Sequence, residues 1–82
     1  MPAAARTAKL TDAQKAQLAE LDARYTAKIA EREIALRDGM NRAAAGSDAA
    51  TREQLEQQLV RERKALLAEL EEKKDAVRRA KG

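Results

Sequence analysis

The sequence predicts an all-α protein: an antiparallel helical hairpin of coiled-coil character that pairs with a second copy into a four-helix assembly. Three observations carry this. Ala, Glu, Lys, Leu and Arg dominate, and charged residues reach 38%, the composition of long helices. Aromatic residues are 1%, a single Tyr25 with no Phe or Trp, so large rings cannot fill a globular interior. Apolar residues recur at helical spacing in two long stretches separated by a glycine-containing break. A chain of 82 residues forms one domain with a small core, a size at which association often completes the fold.

Residues 1–10 read as a basic arm, with Arg6 and Lys9 and no apolar seam. Helix one is expected over 11–40. Thr11 and Gln14 have capping-box spacing: the hydroxyl accepts from the Gln14 amide while the Gln side chain reaches back. Asp12 suits the positive end of the helix dipole. The seam that follows is Leu18, Leu21, Tyr25, Ile29, Leu36 and Met40.

Residues 41–48, NRAAAGSD, read as the turn. Gly39 weakens the end of helix one and Gly46 marks its stop. Ser47, Asp48 and Thr51 each qualify as the next N-cap. So short a connection makes the helices antiparallel neighbours.

Helix two is expected over 49–80. Leu55, Leu59, Leu66, Leu70 and Val77 form its seam. Leu18, Ile29 and Met40 repeat every eleven residues, as do Leu55, Leu66 and Val77. That interval corresponds to about 3.67 residues per turn and favours straight or slightly right-handed packing. Glu62 and Lys73 interrupt the stripe, either as snorkelling edge residues or as register-setting pairs. Glu20–Arg24, Glu33–Arg37, Glu69–Lys73 and Asp75–Arg79 are favourably spaced pairs along one helix.

Ala16, Ala23, Ala27, Ala30 and Ile34 lie behind the seam of helix one, and Val60 and Leu67 widen that of helix two. Ile34, Val60 and Leu67 are therefore expected between copies, and the seam residues inside the hairpin. Arg6, Lys9, Lys73, Lys74, Arg78, Arg79 and Lys81 converge at the open end, which makes that end electropositive. An acidic partner, an anionic surface or nucleic acid could meet it. The net charge of only +3 and the lack of stacking aromatics weigh against nucleic acid.

The chain contains neither His nor Cys. Thiolate nucleophiles, imidazole acid–base catalysis and the usual zinc sites are thereby removed. No carboxylate pair is marked out by an apolar pocket as an acid and base would be, so no enzyme, cofactor or metal is expected. No stretch is long and apolar enough to span a bilayer, and the first residues carry no signal-peptide pattern. Cytoplasm is the default compartment, and the periplasm the alternative if an export signal has been removed.

Leu10-Thr11-Asp12-Ala13-Gln14 matches the LTxxQ signature of the Spy/CpxP/ZraP group. LAELDARYTAKIAERE after it resembles that group's first long helix, so the likeness covers about Leu10 to Leu36. The resemblance implies a hairpin dimer and, as in Spy-like members, a concave apolar and positive surface that holds unfolded clients without ATP. A second LTxxQ and the His- and Met-rich metal segments are missing, so metal binding does not carry over. SDAATREQLEQQLVRERKALLAELEEKKD is similar to the coiled-coil hairpin of DksA/TraR-type regulators of RNA polymerase. That likeness implies Asp48 as a tip acid, without the Cys-rich zinc module.

Overall fold

The computed structural model describes residues 10–80, which form two long helices packed against each other. Helix α1 spans Asp12–Ala45 and helix α2 spans Ala49–Arg79. Arg6, Lys9 and Lys81 lie outside the described residues.

Helix α1 begins where its cap is complete. The Thr11 N–H donates to Gln14 Oε1 at 2.9 Å, and the Gln14 N–H donates to Thr11 Oγ1 at 3.0 Å. Its end is five residues later than the sequence spacing predicts. Asn41 to Ala45 stay helical because three alanines are strong helix formers and Ala43 is buried under the turn.

The connection is then only Gly46, Ser47 and Asp48. The Asp48 N–H donates to Ala43 O at 2.8 Å and the Ser47 N–H to Ala44 O at 3.1 Å, the paired bonds of a Schellman stop. The left-handed residue of that stop is Ser47, with φ 59, whereas Gly46 keeps an ordinary φ of −88. A left-handed residue with a side chain costs about 1–2 kcal/mol. Ser47→Gly is therefore expected to raise hairpin stability by about 1 kcal/mol, read as a higher melting temperature by circular dichroism. An unchanged or lower value would count against this turn.

Of the three candidate caps for α2, Asp48 is the one used. Its carboxylate accepts from the Thr51 N–H at 3.1 Å and the Thr51 hydroxyl at 2.6 Å. Thr51 is thus a donor to the cap and already lies inside the helix.

The helices run antiparallel, and their side-chain bonds share one register. Gln14 reaches Ala80, Asp22 reaches Lys74, Tyr25 reaches Glu69 and Arg32 reaches Glu62. At this register Leu18 faces Val77, Tyr25 faces Leu70, and Ile29 faces Leu66. Leu36 faces Leu59 and Met40 faces Leu55. The shared eleven-residue interval keeps the two ridges in step along their whole length. Tyr25 is fully enclosed, Leu36, Leu59 and Leu70 are buried, and the remaining seam residues are half-buried. Near the turn the helices approach closely at Gly39, where a Cβ would lie 3.0 Å from Leu55 Cδ1.

The result is a rod of 59 × 21 × 15 Å with a radius of gyration of 18.4 Å. A compact domain of this length would have a radius near 12 Å. The rod is one helix thick, so each helix has one neighbour.

Candidate interaction surfaces

The seam is interrupted by charge at mid-length, and this interruption ties the two helices together. Both apolar ridges leave a seven-residue gap, Ile29 to Leu36 on α1 and Leu59 to Leu66 on α2. Arg32 and Glu62 fill it. Arg32 Nε donates to Glu62 Oε1 at 2.5 Å, and the guanidinium also reaches Oε2 at 3.1 Å. Gln58 Nε2 adds a bond to Oε2 at 2.6 Å. Beside it, Arg63 pairs with Glu33 at 3.3 Å. A forked pair of this kind has directional as well as electrostatic selectivity. Glu62 is therefore a register-setting residue of the interface between the helices. Lys73 instead pairs along its own helix with Glu69 at 3.7 Å and lies over the Tyr25 ring.

Two of the pairs expected along one helix are replaced. Glu33 turns to Arg63 across the interface, where Arg37 was its spaced neighbour. Asp75 binds Arg78 at 2.8 Å in place of Arg79. The i,i+4 pairs Glu20–Arg24 and Glu69–Lys73 form as spaced, each at 3.7 Å.

The bonds from Arg32 and then Gln58 hold the Glu62 carboxyl down to about 2. The Tyr25 hydroxyl lowers Glu69 below the usual carboxylate range, and the Thr51 hydroxyl does the same for Asp48. A folded-state value below the unfolded one gives stability that is present above the unfolded value, about 4.5, and lost as pH falls toward the folded value. The melting temperature should therefore hold steady from neutral pH to about 5 and fall between roughly pH 4.5 and 2. Glu62→Gln should lower the neutral-pH value and flatten that acid limb. An acid limb of the same depth in the variant would remove Glu62 from this role.

Tyr25 is the centre of the core and of a polar cluster. Its hydroxyl donates to Glu69 Oε2 at 2.5 Å. The Lys28 and Lys73 ammonium groups lie 4.7 and 5.5 Å from its ring centroid, within cation–π range. The ring's apolar body fills the seam, and its tip reaches the charged rim.

Gln14 has a second role that the capping-box spacing did not reveal. Its Nε2 donates to Val77 O at 2.9 Å and to Ala80 O at 2.7 Å. Ala80 is the cap residue just past α2, and Val77 O, in its last turn, also accepts from the Ala80 N–H at 3.2 Å. One side chain thus starts α1 and ends α2, and it is buried in doing so. The signal in the sequence is that Gln14 continues the seam four residues before Leu18.

Of the basic-end residues that the structure describes, Lys73, Lys74 and Arg78 are engaged within the hairpin. Lys74 Nζ binds Asp22 Oδ1 at 2.9 Å, with its side chain only 17% exposed. Lys73 and Arg78 have the partners given above. Arg79 has no ion pair among the described residues.

The hairpin has two broad faces. One carries the pairs Asp22–Lys74 and Glu33–Arg63, with a groove lined by Arg37, Met40, Arg52, Glu56, Leu59 and Val60. The other carries Arg32–Glu62 and Tyr25–Glu69, with a groove lined by Lys28, Glu31, Arg32, Glu62, Ala65 and Leu66. Ile34, Val60 and Leu67 are 70%, 60% and 49% exposed. They do not form one patch. At about 100° per residue, Val60 and Leu67 flank the first face, whereas Ile34 points away from α2 at the outer edge of α1.

Asp48, the candidate tip acid, has both carboxylate oxygens turned onto Thr51. Among the described residues, no three His, Cys, Asp or Glu side chains are grouped to hold a metal ion. None of the described helices is long and apolar enough to cross a membrane. In comparisons with known proteins, no family model, no curated protein and no solved structure matches the chain significantly.

Proposed function

We propose that this chain is a non-enzymatic interaction protein. Its hairpin self-associates into a four-helix assembly that acts as a scaffold or as an ATP-independent holder of protein clients, as the Spy-like resemblance implies. The single observation that carries this reading is the one-helix-thick rod with Val60 and Leu67 uncovered on a broad face. Stable domains bury their apolar stripes between two packed layers, and a second copy supplies the missing layer. The internal pairing of Lys73, Lys74 and Arg78 supports a protein partner over a phosphate backbone, since those cations are already spent on carboxylates.

The test is solution mass by light scattering, with Leu67→Glu as the variant. The parent chain should run as a dimer or larger. The variant should shift toward monomer and keep its helicity, because Leu67 lies outside the hairpin seam. An unchanged mass would remove Leu67 from the contact, and a monomeric parent would remove self-association. A client-aggregation assay without ATP separates the holding activity from a purely structural scaffold.

A further inference from the structure

We infer that the turn-proximal part of the rod is a separate opening unit: residues 34–60 unwind from the turn while the rest of the hairpin stays latched. The inference concerns a single chain and does not depend on self-association.

Three observations carry it. First, the apolar contact between the helices is not continuous. Both ridges skip seven residues at mid-length, Ile29 to Leu36 and Leu59 to Leu66, which is about 10 Å of rod at 1.5 Å per residue. The layer between is Arg32 on Glu62, with side chains 49% and 26% exposed. Cooperativity passes from one apolar layer to the next, and here it meets a solvated ion pair of small stabilising effect.

Second, the side-chain bonds that join α1 to α2 all lie at that layer or beyond it, toward the open end. They run from the Gln14 clasp, through Lys74 and Tyr25, to the mid-length pairs. Between that layer and the turn, no side-chain hydrogen bond or ion pair crosses from helix to helix among the described residues. The apolar content is uneven in the same sense. Leu36, Met40, Leu55 and Leu59 are the large seam residues on the turn side, whereas the other side has longer ridges and the fully enclosed Tyr25.

Third, both helices end at the turn, so unwinding there starts from helix termini. Ser47 in the connection holds a left-handed φ of 59, which is costly for a residue with a side chain, and release of the turn relieves it. Lengthening the connection costs little, because loop-closure entropy grows only with the logarithm of length. The reverse opening is not a local event. It would break every latch and expose Tyr25, and Leu36, Met40, Leu55 and Leu59 alone are too small a core to hold a hairpin. Opening of the turn side uncovers those four beside Val60, which is exposed already, on a segment tethered at both ends to a closed stem.

The test is native-state hydrogen exchange, residue by residue at low rising denaturant, on the parent chain and on Tyr25→Phe. In the parent, amides of residues 36–43 and 55–59 should exchange roughly tenfold or more faster, relative to their intrinsic rates, than those of residues 21–29 and 66–70. Their denaturant slope should also be smaller, because a local opening exposes less surface. Tyr25→Phe should speed exchange on the open-end side and leave the turn side unchanged, since the Tyr25 bond to Glu69 stays made when only the turn side opens. Equal protection on both sides of the Arg32–Glu62 layer, or lower protection on the open-end side, overturns the inference. So does a Tyr25→Phe effect of the same size on both sides.

Discussion

Tyr25→Ala is expected to abolish the cooperative thermal transition of the hairpin. Removing a buried aromatic costs about 3–5 kcal/mol in the lost burial and the cavity left behind. A single small core of about this size rarely supplies more than roughly 3–5 kcal/mol. Tyr25 is the one fully enclosed large side chain among the described residues, and it has no other ring beside it to collapse into the space. The control is Tyr25→Phe. It keeps the ring in the seam and loses the charge-assisted hydroxyl bond to Glu69, which solvent at the exposed carboxylate weakens. Phe should therefore melt cooperatively at a lower temperature, with Glu69 titrating nearer the ordinary carboxylate value. Circular dichroism of both variants decides the matter. A Tyr25→Ala protein that melts like the parent would mean that the seam does not hold the helices together.

The second large effect is expected at the open end. Gln14→Glu preserves the capping box, because Glu serves as well as Gln at that position. It also places a carboxylate against the Val77 and Ala80 carbonyls that the amide now satisfies. Those carbonyls are the negative end of the α2 dipole. The variant should lose about 2 kcal/mol at neutral pH, from the loss of both amide bonds and the repulsion. It should recover part of that loss below about pH 4, where the new carboxyl is protonated and can donate again. Hydrogen exchange should show the last turn of α2 opening first. If Gln14→Glu costs no more than a surface substitution and the last turn stays protected, the clasp contributes nothing.

The two predictions differ in how far they could be read from the chain alone. Tyr25 stood out at once as the single ring in a helical stripe. Gln14 reads as half of a capping box and, four residues before Leu18, as a continuation of the seam. Its bonds to Val77 and Ala80 span more than sixty residues of sequence, and no local spacing encodes that reach. The same contrast holds for the charges. Glu20–Arg24 is an i,i+4 pair with no competitor across the interface, and it forms as spaced. Glu33 had Arg37 at the same spacing but turned to Arg63. Glu33 flanks the seam on the side of α2, where the Arg63 guanidinium comes within 3.3 Å.

The turn shows the same limit on a smaller scale. Glycine marked where α1 stops, but the left-handed residue is its neighbour Ser47. The position of that residue follows from which carbonyls the stop satisfies. The three alanines before it then extend the helix, since nothing in them favours an earlier end. Ile34 likewise has the same apolar character as Val60 and Leu67, yet it falls on a different side of the rod once the helices are docked.

What the sequence by itself determined is the helical character, the two apolar ridges with their common eleven-residue step, and the Thr11 start. Those depend on backbone preference and on residues a few positions apart, and such interactions are complete within one helix. Only the tertiary structure decided the register, the partners of Arg32, Glu33 and Gln14, and the side on which the uncovered apolar residues stand. Each of those is a choice among several chemically equivalent neighbours. The choice is made by distance across the interface, a quantity that exists only after the two helices have met.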